Sequence, residues 1–233
     1  MPWGTFLKIG EQIMSRFPQG WETFFEEEIK KDYFQQLWKT VQHEYYTTTV
    51  YPPGKDVFAV FKLVRPEDVK IVLLGQDPYH GKNQANGIAF STASAITPRS
   101  LANMFKELKS DLDIDHPSND LSGWVAQGVF LLNTILTVRE HQPLSHQELG
   151  WETFVLNVLN FLNSNNKVIL YCAFGNQAMK MYSKINGIKS ENILRYGHPS
   201  PFSYDKYFKG TRPFSQINSW LEFHDLTPIN WAQ

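Results

Sequence analysis

Four short apolar runs constrain this chain more than any other feature. They read VKIVLLG (69–75), GVFLLN (128–133), KVILYCAF (167–174) and NILRY (192–196), each bounded by turn residues. None of them alternates apolar with polar positions. A strand with one wet face shows every second residue polar, so near-continuous runs of this length suit strands covered on both faces, as in a parallel sheet. The intervals between them carry helical patterns. After Thr97-Pro98, a capping residue followed by proline in the first turn, Leu101, Met104, Phe105, Leu108 and Leu112 fall on one stripe. Trp151 to Leu162 repeats the pattern with Phe154, Val155, Val158, Leu159 and Leu162. Strand–helix alternation predicts a doubly wound α/β sheet, and 233 residues suit one such domain or at most two small ones. Residues 1–48 read as helical but loosely patterned, with Pro18 and Gly20 dividing two segments, and YPPGKDVF (51–58) reads as a turn-rich connection.

In open α/β sheets ligands bind outside the carboxyl ends of the strands, and those ends are polar here. Gln76-Asp77-Pro78-Tyr79-His80 follows the first run, Asn133 closes the second, Gly175-Asn176 follows the third, and Gly197-His198-Pro199-Ser200-Pro201 follows the fourth. Parallel strands place all four groups on one edge. Each has an ordinary reading when taken singly. Asp-Pro starts turns, Tyr79 and His80 suit a core or its rim, Asn133 suits a cap, and the prolines around His198 suit a tight surface loop. Their joint placement at strand ends is what the ordinary readings leave unexplained. An acid opposite a histidine, with an amide to read a ligand edge, suits cleavage of a bond whose carbon becomes cationic while the leaving group becomes anionic.

Several other chemistries lack their sequence patterns. The seven histidines form neither H-E-x-x-H nor H-x-H. There is no Walker loop, no G-x-G-x-x-G and no G-x-S-x-G elbow. The one cysteine, Cys172, allows no internal disulfide and no multi-thiolate metal site, and its apolar surroundings mark it as buried. The site is therefore expected to work without metal, nucleotide or serine nucleophile. MPWGTFLKIG lacks the charged start and long apolar stretch of a signal peptide, and no run approaches a membrane span. The expectation is a soluble, cytoplasmic protein. The formal net charge of −1 does not announce a polyanion binder, and aromatic residues at 15% serve cores and base-stacking surfaces equally. Charge is unevenly spread, however. Lys167, Lys180, Lys184, Lys189, Arg195, Lys206, Lys209 and Arg212 share one segment with only Glu191 and Asp205. Such a segment is either a phosphate-facing surface or a solvated face.

GQDPYHG, NQANGIAFS, LLNTILTVRE, SHQELGWETF, GHPSPFS and the PINW near the end occur together and in order. In these motifs the chain resembles a family 1 uracil-DNA glycosylase from about Tyr45 to Trp231, with residues 1–44 weakly matched. The resemblance implies a single α/β domain spanning 1–233, with a central parallel four-stranded sheet flanked by helices on both faces. It implies a monofunctional, cofactor-free repair enzyme that hydrolyses the N-glycosidic bond of deoxyuridine and leaves an abasic site. Asp77 matches the aspartate that positions water and faces the sugar. His198 matches the histidine that donates to uracil O2 as a neutral ring, with the backbone of Gln76 reaching the same oxygen. Asn133 matches the reader of the uracil edge, Tyr79 the ring that stands where a thymine methyl would go, and Phe90 the aromatic that stacks on the base. Ser100 and Ser200 match serines that grip phosphates. His80 and, more weakly, Gly175 and Asn176 match further DNA contacts. The implied partners are single- or double-stranded DNA containing uracil and a DNA-mimicking protein inhibitor of phage origin, and the implied state is a monomer in the cytoplasm.

Three departures from the family pattern stand out. Phe202 replaces the usual leucine wedge after HPSP, Arg99 stands in ITPRSL where another proline is usual, and CAFGNQ replaces a Trp-Gly pattern. A glycosylase for other damaged or mispaired bases, and a catalytically silent DNA-binding protein on the same fold, are the rival readings. A metal-dependent nuclease lacks a carboxylate cluster.

Overall fold

The computed structural model describes residues 20–165 and 168–233. The main elements are α1 (Glu22–Glu28), α2 (Asp32–Thr47), β1 (Val50–Tyr51), β2 (Ile71–Gly75), α3 (Arg99–Leu112), α4 (Ser122–Ala126), β3 (Val129–Asn133), β4 (Val138–Arg139), α5 (Trp151–Asn165), β5 (Leu170–Phe174), α6 (Asn176–Tyr182), β6 (Ile193–Tyr196) and α7 (Pro213–Phe223). The four predicted strands pair in the order β3-β2-β5-β6, and every pairing is parallel. Registers run Gly75 to Asn133 on one side of β2 and Leu73 to Cys172 on the other, so the carboxyl ends lie along one edge.

Every residue of β2 and β5 is buried, which requires cover on both faces of the sheet. On one face Trp21 stacks on Phe130 of β3 at 5.4 Å and meets Phe61 edge-on at 4.9 Å, while Phe24, Phe25 and Phe154 extend the cluster toward α5. Each well-placed aromatic pair adds about 0.5–1.5 kcal/mol beyond its area burial. Another aromatic group joins Trp124 to Trp231 at 5.0 Å and Phe214 to Trp231 at 5.1 Å, both edge-on. The stripe on α3 is buried at Leu101, Met104 and Leu108, and that on α5 at all five predicted positions.

Some expectations need amendment. Thr97 does not cap α3. Pro98 takes the cap position and the Thr97 hydroxyl donates instead to Asn119 Oδ1 at 2.8 Å. β6, one of the two edge strands, is only partly buried, whereas β3 at the opposite edge is covered along most of its length. Tyr51, placed in a connection, pairs through β1 with β4 in a two-stranded antiparallel sheet. Pro18 lies outside the described residues. Beyond Gly20 the chain forms two helices broken around Ile29–Lys31, and the first of them seals the core. Among the described residues no helix is long and apolar enough to cross a membrane.

Candidate active site

The carboxyl edge of the sheet opens into a cleft of about 250 Å³. Residues from the β2 exit (Gln76, Asp77, Tyr79, His80), from the β3 end (Asn133) and from the loop after β6 (His198) line it together. Phe90 and Ser100 complete the wall. Eight of the predicted site residues thus converge on one cleft. A neighbouring hollow holds Gly175, Asn176 and Ser200 and shares Gln76 and His198 with the first. Phe202 lines neither cleft. Its side chain is 98% exposed at the tip of the loop that carries His198.

Local geometry fixes each group. The Gln76 carbonyl accepts the Ile135 N–H at 2.9 Å and the Thr134 hydroxyl at 2.8 Å, which sets the peptide plane leading into Asp77. Asp77 Oδ2 accepts the Leu144 N–H at 2.7 Å. Burial raises the Asp77 carboxyl above its ordinary range, and the Leu144 N–H and the nearby His80 ring offset only part of that. Asn133 packs its amide over bare backbone: a Cβ on Gly75 would come within 2.1 Å of Asn133 Oδ1. The Tyr79 hydroxyl donates to the Phe90 carbonyl at 2.9 Å, and burial pushes that phenol well above its usual pKa. Phe90 itself sits in the left-handed region at φ 64, a conformation costly for a bulky side chain and found where surrounding contacts impose it.

His198 has a defined tautomer. The Ser200 N–H donates to its Nδ1 at 3.0 Å, so in the neutral ring the proton sits on Nε2. Burial lowers its pKa below 6.5, which favours that neutral form. The His198 ring lies 6.2 Å from Phe90, and Gly175, at φ 95, leaves space that a Cβ would fill to within 3.0 Å of His198 Cβ.

A family model described as the Uracil DNA glycosylase superfamily matches residues 61–222. The chain belongs to the uracil DNA glycosylase superfamily. Within that superfamily it is 46% identical over 213 residues to the uracil-DNA glycosylase of Amoebophilus asiaticus, covering 91% of this chain and 96% of that one. It is 46% identical over 214 residues to the enzyme of Exiguobacterium sibiricum, covering 91% and 97%. Among solved structures, the mimivirus uracil-DNA glycosylase superposes with a TM-score of 0.84 at 26% identity, covering 91% of this chain and 85% of that one. A mimivirus UNG variant in complex with UGI gives 0.83 at 26% identity, covering 92% and 88%. Alignments over 91% of the chain extend into residues 1–44, where the sequence motifs are silent.

The cleft includes contributors that sequence reasoning missed. Leu144 acts through its main chain and carries no residue signal. Pro143, Gly87, Ile88 and Ser91 line the cleft. Asn103 on α3 donates to the Pro199 carbonyl at 2.8 Å and so braces the His198 loop. The basic segment is less free than its sequence suggests. Lys167 lies outside the described residues, Lys209 lies 3.8 Å from Asp205, and Arg212 is tied at 3.2 Å to the buried carboxylate of Asp111.

Proposed function

We propose that the chain excises uracil from DNA by hydrolysing the N-glycosidic bond and leaves an abasic site. The observation that carries this reading is the meeting of Asp77, Asn133 and His198 from separate strand ends around one cleft. A base inside a duplex cannot reach such a cleft, so the nucleotide is flipped into it at a cost of a few kcal/mol. Phe90 stacks on the extruded base. The Asn133 amide donates to O4 and accepts from N3–H. Cytosine presents the opposite pattern, leaving buried groups unpaired at about 1–3 kcal/mol each. Tyr79, locked by its hydroxyl bond to Phe90, occupies the space of a 5-methyl group.

Water adds to the anomeric carbon as the C1′–N1 bond breaks, the electron pair leaves with uracil, and the water's surplus proton passes to the Asp77 carboxylate. Asp77 orients that water and faces the developing positive charge on the sugar, an interaction strongest where bulk water is excluded. The Nε2–H of His198 and the backbone at Gln76 stabilise the negative charge that reaches O2. A neutral donor suffices because the dipole is already aimed.

Ser100, Ser200, His80 and Gly175 hold the DNA backbone, contacts that position without reading sequence. Phe202 enters the vacated stack. The likeness to a mimivirus glycosylase seen with UGI supports a DNA-mimicking inhibitor as a second partner. We further take the chain to act as one domain over 1–233, as a monomer in the cytoplasm. The deciding experiment incubates purified protein with a uracil-containing oligonucleotide in EDTA. Free uracil and an alkali-labile site are expected, and an intact strand from a folded sample would overturn the reading.

A further inference from the structure

Glu44 is a buried carboxylate near the end of α2 and precedes residue 61, where the superfamily model begins. It accepts two hydrogen bonds from Arg139, at 2.5 Å from Nε and 2.6 Å from Nη2. This fork on β4 marks the start of the loop before α5. Further along that loop His146 packs beside the same carboxylate, its Nε2 3.5 Å from Glu44 Oε2 without a hydrogen bond to it. His146 is fully buried, and its Nδ1 meets the Thr137 hydroxyl at 2.7 Å, which in turn accepts the Trp151 indole N–H at 2.7 Å. Within the loop the Arg139 N–H donates to Ser145 Oγ at 2.8 Å. Next to Ser145 stands Leu144, whose N–H holds Asp77. Leu144 has φ 62, and His141 and Glu148 are also left-handed at φ 58 and φ 64. Three non-glycine residues in that region relax unless outside contacts hold them.

We infer that Glu44 is a positioning residue for Asp77: by forking Arg139, whose own N–H holds Ser145, it fixes the loop whose Leu144 N–H orients the carboxylate. The inference rests on the reading of Asp77 as a catalytic residue. The ion pair is strong enough to serve, since Arg139 holds the Glu44 carboxyl down at about 2. It also gives the helices before the matched region a part in catalysis.

The Leu144 N–H favours ionised Asp77, so loosening the loop raises the Asp77 pKa. The titratable groups facing Asp77 are His80 on its own segment and His198 across the cleft. Those facing His146 are Glu44 and Arg139. Removing the Glu44 charge lowers the His146 pKa further, so His146 stays neutral and does not imitate the effect.

The test compares kcat, KM and the pH profile of kcat for Glu44→Gln, Arg139→Lys and Asp77→Asn with the parent. Glu44→Gln is expected to lower kcat by about tenfold or more while KM for DNA stays within about twofold, and to move the acid limb to higher pH. Arg139→Lys, which keeps the charge but loses the fork, is expected to do the same to a smaller degree. A purely structural role lowers the melting temperature without moving the acid limb. Parent-like kcat and acid limb in folded Glu44→Gln overturn the inference. If that variant does not fold, the same result in Arg139→Lys overturns it. Parent-like turnover in Asp77→Asn instead overturns the catalytic reading of Asp77, whereas an inactive Asp77→Asn beside a parent-like Glu44→Gln removes the positioning role alone.

Discussion

Gly75 and Asn133 are cross-strand partners at the last register of β2 and β3, and a Cβ on the first would stand 2.1 Å from Oδ1 of the second. The Asn133 amide, the proposed reader of the base, therefore lies where a side chain on residue 75 is forbidden. Gly75→Ala must push the amide aside, because the Ala89 Cβ closes the other direction at 3.0 Å. A misplacement near one ångström costs about a hundredfold in rate. Uracil release should fall by about that factor while circular dichroism reports an intact fold.

In the proposed mechanism Asp77 works ionised and His198 neutral, so each loses activity by gaining a proton. Burial raises the first from 3.8 and lowers the second from 6.5. The pH profile of kcat/KM should therefore show an acid limb, displaced above the 3.8 of an ordinary aspartate where Asp77 sets it, and no alkaline limb from either residue. Stability carries opposite signs. The lowered His198 pKa gives stability that is present above pH 6.5 and lost as pH falls through the folded value. The raised Asp77 pKa gives stability present below 3.8 and lost as pH rises through the folded value. Asp77→Asn should consequently melt at a higher temperature than the parent at neutral pH while its turnover falls by orders of magnitude.

Tyr79→Ala removes the ring proposed to block a 5-methyl group and frees the Phe90 carbonyl. Discrimination between uracil and thymine should drop at least about tenfold, the scale at which a pocket resolves one methyl. Release of thymine from normal DNA is the readout, and thymine left wholly in place would remove Tyr79 as the gate.

Phe202 buries nothing in the free protein, at 98% exposure. Phe202→Ala should change stability by less than about 0.5 kcal/mol. It should cost more activity on duplex than on single-stranded substrate, because only the duplex has a stack to fill. Equal losses on the two substrates would rule out a wedge.

The sheet was legible because strands covered on both faces leave uninterrupted apolar runs, and Ile71–Gly75 and Leu170–Phe174 are buried at every position. Its carboxyl edge then named Asp77, Asn133 and His198 without any contact information. Two-residue strands such as Val50–Tyr51 are too short to show a period. Thr97 followed the sequence rule for a cap, yet Asn119 competed for its hydroxyl. Glu44, Asn103 and Glu107 look like the wet face of a helix, but each is buried against polar groups distant in sequence. The Leu144 contribution is an amide that every residue but proline owns, so only coordinates reveal it.

The lone thiol of this chain is sealed at the centre of β5, where Cys172 is fully buried and its proton is held tightly. Alkylating reagents need an accessible thiolate, so the native surface offers them no sulfur target among the described residues. A cysteine introduced in place of Phe202 would carry a fluorophore at one known point without any background label. Single-molecule spectroscopy could then follow that tip as it meets and leaves DNA, in a protein that needs no prior cysteine removal.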